Sequence, residues 1–81
     1  MDFVILVLKN KEQVSGRLTG ILSKIYAIDT GRDFKLVKIN DVSIFKKERK
    51  CGDNEENIAI ERWNNYQEEN PDIIESLERS G

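Results

Sequence analysis

The residues with the clearest chemistry are cations, and they are concentrated in the first fifty positions. Eleven lysines and arginines stand there against six aspartates and glutamates, a net charge of +5. Residues 51–81 contain two arginines and nine aspartates and glutamates, a net charge of −7. A basic surface attracts phosphate groups, and an acidic segment of the same chain either competes for that surface or repels the same ligand. The alternative interpretation is two ordinarily solvated faces.

One use for these cations is binding a single-stranded nucleic acid, which small β domains do by stacking bases on aromatic rings and lining the path with positive charge. Tyr26 is the aromatic candidate, near two loops that carry Lys24, Lys38 and Asn40. The predicted phosphate contacts are Arg17, Arg32, Lys35, Lys46, Lys47, Arg49 and Lys50. Two simpler interpretations stay open: the lysine cluster is a solvated linker, and Tyr26 is a core side chain with its hydroxyl at the rim.

The sequence does not predict an enzyme, a metal site or a cofactor. It contains no histidine, the usual general base and the commonest zinc ligand. Asp29, Asp33 and Asp41 stand beside turns, where aspartate is favoured for its local hydrogen bonds. The single Cys51 has basic neighbours, Arg49 and Lys50, that could lower its pKa, but a lone thiol without an imidazole is more often incidental.

Five short strands are expected to position these residues, at 3–8, 13–22, 25–29, 34–39 and 42–45. Their alternating pattern is typical of strands, and their short connections require neighbouring strands to be antiparallel. Period two puts Gly16 and Gly20 on the same apolar face of the second strand, where they would let it bend across a small barrel. The alternative is that one of them is a bulge in an open sheet. Gly31 is expected to supply a positive φ in the following hairpin turn.

The pattern changes after residue 45. The charged stretch KKERKCGDNEEN indicates a linker or a frayed extension of the last strand. Asp53 and Glu56 are spaced as a capping box for a helix that ends near Asn70, before Pro71. Its expected apolar side is Ala59, Ile60, Trp63, Tyr66 and Gln67. A second helix is expected to begin at Pro71, with Ile73, Ile74 and Leu77 as its apolar face and Gly81 at its end. A sixth strand at residues 57–60 is the alternative.

The order of residues 4–45 resembles the Sm-like family of small barrels, which includes Hfq and the LSm proteins. VILVLKNKEQVSGRLTGI is similar to that family's strand, polar turn and bent strand. IYAID and then LVKINDVSIF resemble its third strand, closing strand, tight corner and last strand. Similar strand lengths occur in other SH3-type barrels. The resemblance implies a mainly β fold with a small five-stranded antiparallel barrel and one or two short C-terminal helices. It also implies RNA-reading loops and rings in which the fourth strand of one subunit pairs with the fifth of the next.

The predicted organisation is therefore a small barrel over residues 1–50 and an acidic helical extension over residues 51–81, packed on the barrel or tethered to it. The longest apolar run, FVILVL, is too short to span a membrane, and no secretory signal is evident, so a cytosolic protein is expected. Oligomeric state is open, and a homo-oligomer is one of the alternatives.

Two functions remain open on this evidence. The first is a non-catalytic nucleic-acid-binding module, for single-stranded RNA, whose acidic C-terminal segment modulates binding. The second is a protein interaction adaptor, or a phage-type inhibitor, that docks on a larger protein through an edge strand or the C-terminal helix. Trp63 and Tyr66 would be its interface anchors, unless they seal the helix onto the barrel.

Overall fold

The structure is a computed structural model that describes residues 1–80, apart from the side chains at positions 77, 78 and 80. The elements in chain order are β1 (Asp2–Leu8), β2 (Gln13–Leu22), β3 (Ile25–Asp29), β4 (Phe34–Lys38), a 3-10 turn (Ile39–Asp41), β5 (Val42–Lys50), α1 (Asp53–Glu69) and α2 (Pro71–Ser80). The prediction of a mainly β fold with five antiparallel strands and C-terminal helices is confirmed.

The strands form one open sheet in the order β4-β3-β2-β1-β5, and every neighbouring pair is antiparallel. Short connections join β1 to β2, β2 to β3 and β3 to β4 as hairpins. The chain then crosses from one edge of the sheet to the other, and β5 pairs with β1. Gly31 has φ 95° in the turn between β3 and β4, as its position predicts. Strands β4 and β5 are the two edges of the described sheet.

The sheet is strongly curled around an apolar interior. Its inner cluster consists of Val4, Leu6, Val14, Ile28 and Val37. The rings of Tyr26 on β3 and Phe45 on β5 have centroids 5.5 Å apart, although β2 and β1 separate the two strands in the sheet. In a flat sheet three strand spacings would place them roughly 14 Å apart. The curl therefore brings the β5 edge back over β3.

The two glycines of β2 lie on opposite faces, so the prediction that they share one face is wrong. Register against β3 shifts between Leu18 and Gly20, which leaves Thr19 as a bulge. Because one extra residue reverses the alternation of side chains, Leu18 stays on the inner face, whereas Gly20 joins the outer face. Gly16 pairs with Val4 and lies on the inner face, where the backbones of β2 and β3 approach closely.

The helices cover the outer face of the sheet over β2, β3 and β4. A second cluster of Ala27, Phe34 and Trp63 joins helix to sheet, with Tyr66 and Ile74 packed against it. Ala59 and Trp63 are the buried residues of α1. Ile60 was expected on this apolar side but is exposed, because its helical position points it away from the sheet. The extension is thus packed on the outer face of the sheet.

Helix boundaries agree with the sequence pattern at one end of α1 and differ at the other. The helix stops at Asn70, as Pro71 requires, and α2 begins at Pro71. At its start, Gly52 is the N-cap and no side chain caps the helix, so the predicted capping box is wrong. Residues 57–60 are helical, which excludes the sixth strand. The predicted contact of Leu77 and the helix end at Gly81 lie outside the described side chains and residues, respectively.

Strand β5 is longer than predicted. It continues to Lys50, because β1 provides hydrogen-bonding partners along its whole length, with Asp2 opposite Lys50. The charged stretch after residue 45 is therefore strand up to Lys50 and not a linker. Within the described residues, neither helix is long and apolar enough to cross a membrane.

Candidate nucleic-acid interface

Strand β5 carries four of the predicted phosphate contacts on an open edge of the sheet. Eight of its nine residues are exposed, and Val42 is half-buried. The cations on it are Lys46, Lys47, Arg49 and Lys50. Strand β1 pairs with β5 on one side only, and a register shift leaves Glu48 as a bulge between Lys47 and Arg49.

An aromatic pair, Tyr26 and Phe45, lies beside these cations. The two ring planes are inclined by 40° at a centroid distance of 5.5 Å. Tyr26 is half-buried and packs on the inner cluster, whereas Phe45 is 39% exposed. The interpretation of Tyr26 as a core side chain is thus supported by its packing. Its ring also supports Phe45, whose exposed face is available to a flat ligand such as a base.

The two loops singled out from the sequence meet at one corner of the sheet. The backbone N–H of Ile39 donates to the carbonyl oxygen of Lys24 at 2.9 Å, which joins the turn after β2 to the 3-10 turn after β4. Lys24, Lys38 and Asn40 are exposed there and form what we call the lysine corner. Since Tyr26 follows Lys24 by two residues on β3, the lysine corner adjoins the aromatic pair.

Two of the predicted cations, Lys35 and Arg32, are less well placed to bind the same ligand as the cations of β5. Lys35, together with Lys38, borders a shallow groove at the β4 edge, where Glu12 and Asp41 also line the wall. These carboxylates reduce the attraction of the groove for phosphate. Arg32 lies in the turn at the opposite end of β3 from Lys24, beside the end of α1. The structure therefore does not bring Arg32 to the lysine corner.

Arg17 and Arg49 are both engaged by Glu55, a residue in the first turn of α1. Arg17 on β2 approaches Oε2 of Glu55 with Nε at 2.9 Å and Nη2 at 2.8 Å. Arg49 on β5 makes a two-pronged contact, with Nη1 at 2.7 Å from Oε1 and Nη2 at 2.9 Å from Oε2. The guanidinium of Arg49 also lies over the ring of Phe3, 4.8 Å from its centroid. We call Arg17 and Arg49 the arginine clamp.

The pKa values of two groups at the arginine clamp, Glu55 and Cys51, are shifted from their ordinary values. Hydrogen bonds from Arg49, and then from Arg17, lower the pKa of Glu55 from its ordinary 4.5 to about 2, against the opposing effect of burial. The pKa of the nearby Cys51 thiol is raised, first by burial and then by the carboxylate of Glu55. Arg49 and Arg17 act to lower the pKa of Cys51, as the sequence suggests, but burial and Glu55 outweigh them and the net shift is upward.

Asp29 is fully buried and has a structural role. Its Oδ1 accepts a hydrogen bond from the backbone N–H of Gly31 at 2.9 Å, the local turn contact that the sequence predicts. Its Oδ2 also accepts from Nε of Arg62 on α1 at 2.9 Å. A buried carboxylate requires such partners, and this one ties the end of β3 to the middle of α1.

Trp63 and Tyr66 seal α1 onto the sheet. Trp63 is buried, and its ring centroid lies 5.2 Å from that of Phe34 on β4. Tyr66 is half-buried, stacks on Trp63 with centroids 5.8 Å apart, and also contacts Phe34. These contacts favour the interpretation that the two rings seal the helix onto the sheet, although Tyr66 also lines a surface groove beside Arg32 and Arg62.

Comparison of the chain with protein-family models, with curated proteins and with solved structures gives no significant match.

Three residues of this surface were missed from the sequence. Phe45 and Ile44 were assigned to the last strand without a role, and both are exposed on β5, Ile44 by 55%. Their signal was present: two large apolar residues directly precede a run of lysines, which is unusual for a strand buried on both sides. No pattern in the sequence pointed to Glu55, because the arginines that it contacts are 38 residues away (Arg17) and six residues away (Arg49).

Proposed function

We propose that this protein is a non-catalytic module of the cytosol that binds single-stranded nucleic acid, in the first place RNA, along the β5 edge. The observation that carries the proposal is the aromatic pair, in which Tyr26 supports the exposed ring of Phe45 within a strand rich in lysine. An aromatic face beside a row of cations is the arrangement that binds single strands with little sequence preference. The small five-stranded sheet is compatible with the Sm-like or SH3-like resemblance and supports the same proposal.

The free energy of binding would come from two sources. A base stacked on Phe45 contributes roughly 1 to 3 kcal/mol. Phosphates are neutralised by Lys46, Lys47 and Lys50 on β5 and by Lys24 at the lysine corner. Lys47 has an ion pair with Asp2 at 3.5 Å, but this contact is solvent-exposed and weak. Four neutralised phosphates of a single strand give a slope of log K against log salt of about −3.

The acidic C-terminal segment modulates this binding in the proposal. Glu55 occupies Arg17 and Arg49, two of the cations expected to contact phosphate, at 2.7 to 2.9 Å. The remaining acidic side chains of α1 add negative potential on the helical side of the molecule. A nucleic acid is therefore directed to the sheet side, where the β5 edge and the lysine corner lie.

The test compares two neighbouring substitutions, Phe45→Ala and Ile44→Ala, by fluorescence anisotropy with a labelled twelve-nucleotide oligouridylate at low salt. Both residues are exposed on β5, but only Phe45 belongs to the aromatic pair. Phe45→Ala is expected to weaken binding by about 5-fold to 150-fold, the equivalent of roughly 1 to 3 kcal/mol. Ile44→Ala is expected to bind within about twofold of the wild type. No measurable binding at 50 mM salt, or equal affinity of Phe45→Ala and the wild type, contradicts the proposal.

A second function is favoured by one observation, the nine-residue open edge with both Ile44 and Phe45 exposed. Such an edge accepts a strand from another protein, either a larger partner or a second copy of the chain. A docked strand would bury side chains on both faces of β5. In that case Ile44→Ala and Phe45→Ala weaken capture of the partner alike, whereas stacking of a base singles out Phe45.

A further inference from the structure

We propose that the arginine clamp is a latent phosphate-binding site that the chain fills with its own Glu55, and that a phosphate group replaces this carboxylate. The ligand is a phosphate oxyanion, supplied either by the backbone of a nucleic acid or by a free polyphosphate. The first source rests on the proposed function, whereas the second does not.

The geometry of the arginine clamp is suited to phosphate as well as to carboxylate. Arg49 presents two parallel N–H donors to the two oxygens of Glu55, and Arg17 adds Nε and Nη2 to one of them. Two-pronged guanidinium contacts of this kind recognise phosphate and carboxylate through the same fork. The ring of Phe3 beneath Arg49 holds that guanidinium in position whether or not Glu55 is bound.

The site is accessible from solvent. The side chain of Arg49 is 50% exposed and that of Arg17 is 27% exposed, so an incoming anion reaches both guanidinium groups from the surface. The clamp also continues the row of cations on β5, because Arg49 lies between Lys47 and Lys50 on that strand. Phe45 and Lys47 pair with Leu6 and Val4 of the inner face, whereas Arg49 pairs with Phe3 on the helix side, so a strand bound at the aromatic pair reaches the clamp by crossing the β5 edge.

The first turn of α1 is attached to the sheet in a way that permits exchange. Asp53 and Asn54 are exposed, the N-cap Gly52 makes no side-chain cap, and the buried residues of the helix begin at Ala59. Glu55, and Glu56 through the amino group of Met1, thus hold this turn mainly through charge, while Trp63 keeps the rest of the helix in place. Local opening of such a turn costs less than global unfolding, and it frees the clamp without releasing α1.

The experiment compares Glu55→Ala with Glu56→Ala in the full chain. Glu56 is a matched control, because it lies in the same turn and carries the same charge, but contacts the amino group of Met1 at 3.3 Å and not the clamp. Inorganic pyrophosphate is titrated into each protein while the Arg Nε–H resonances are followed by NMR. We expect the resonances of Arg17 and Arg49 to shift in Glu55→Ala at pyrophosphate concentrations that leave Glu56→Ala unchanged.

A second measurement uses labelled oligouridylate. With two further phosphates neutralised, the slope of log K against log salt steepens by about 1.4 in Glu55→Ala, with roughly tenfold tighter binding at low salt. The slope for Glu56→Ala stays at the wild-type value. If Glu55→Ala does not fold, as judged by circular dichroism, Glu55→Gln, which keeps the side-chain volume, is used in both measurements.

The outcomes separate this inference from the proposed function. If pyrophosphate moves neither arginine in the Glu55 variant, or moves them equally in the Glu56 variant, the latent site is refuted even when the wild type binds RNA. If pyrophosphate binds at the clamp but no variant binds the oligonucleotide, the site stands for free polyphosphate and the proposed function fails. A steeper salt slope confined to the Glu55 variant supports both.

Discussion

At the scale of single residues, the two glycines of β2 have different physical roles. A Cβ added at Gly16 would lie 2.2 Å from the backbone oxygen of Asp29 and 2.8 Å from its carbonyl carbon, so two strands approach as closely as their backbones allow. A Cβ added at Gly20 would lie 3.2 Å from the indole Nε1 of Trp63, a side chain that would need to move by only a few tenths of an ångström. Gly16 is thus required by backbone contact, and Gly20 makes space for the helix.

This difference predicts unequal costs for the two alanine substitutions. Gly16→Ala is expected to reduce the free energy of unfolding by about 2 to 3 kcal/mol, because the strands must separate to admit the methyl group. Gly20→Ala is expected to change it by less than about 1 kcal/mol, since the steric cost is offset by the lower entropy of alanine in the unfolded chain. Urea unfolding measures both values. Equal losses for the two variants would show that the close approach of β2 and β3 is relieved by a small backbone shift.

At the scale of elements, helix α1 is attached to the sheet by two different kinds of contact. Its middle is held by the aromatic cluster of Trp63, Tyr66 and Phe34 and by the ion pair of half-exposed Arg62 with buried Asp29. Its first turn is held by Glu55 in the arginine clamp. The aromatic contacts are insensitive to salt, whereas the contacts of Glu55 are between partly exposed charges that salt and competing anions weaken.

The depressed pKa of Glu55 predicts how the stability depends on pH. Because the folded-state pKa is about 2 and the ordinary value is 4.5, the folded state binds this proton less readily than the unfolded state. The stabilisation is complete above about pH 4.5 and is lost as the pH falls toward 2. The wild type should therefore lose part of its advantage over Glu55→Gln across this window. Urea unfolding at several pH values between 2 and 6 measures the difference, and parallel curves for the two proteins would refute the assignment.

At the scale of the whole molecule, the boundary between the basic and acidic halves of the chain coincides with the boundary between the sheet and the helices. The curled sheet carries the basic residues and the helices carry most of the acidic ones, so one molecule presents a positive side and a negative side. The two sides are nevertheless one packed unit, because Trp63 completes the outer cluster with Ala27 and Phe34 of the sheet. The sheet without the helices would expose that cluster to water.

A single cooperative unit makes a prediction about unfolding. Trp63 is the one tryptophan, and its burial predicts blue-shifted fluorescence in the isolated protein. Since the helix and the sheet share a cluster, the loss of that signal should coincide with the loss of far-UV circular dichroism during urea unfolding. Trp63 fluorescence that moves to the red before the strands unfold would indicate that the helices are only tethered. Fluorescence that is red-shifted from the outset would return Trp63 to the role of an interface anchor.

The sequence by itself determined the local structure. The period-two pattern and the short polar turns define all five strands to within a few residues, except the end of β5, and Pro71 divides the two helices because it excludes a helical conformation at Asn70. The charge difference between the two halves of the chain is also visible in the sequence alone. These features depend on neighbours within a few positions, which is why spacing reveals them.

Only the tertiary structure decided which distant residues meet. The bulge at Thr19 places Gly20 on the opposite face, and it is a feature of the pairing of β2 with β3. The length of β5 depends on β1, forty residues away in the sequence. Glu55 contacts Arg17 and Arg49 because β2 and β5 flank β1 and both arginines pair with Phe3 at the end of the sheet where α1 begins. Contacts of this kind depend on how distant parts of the chain pack together, so the spacing of residues within a short segment does not predict them.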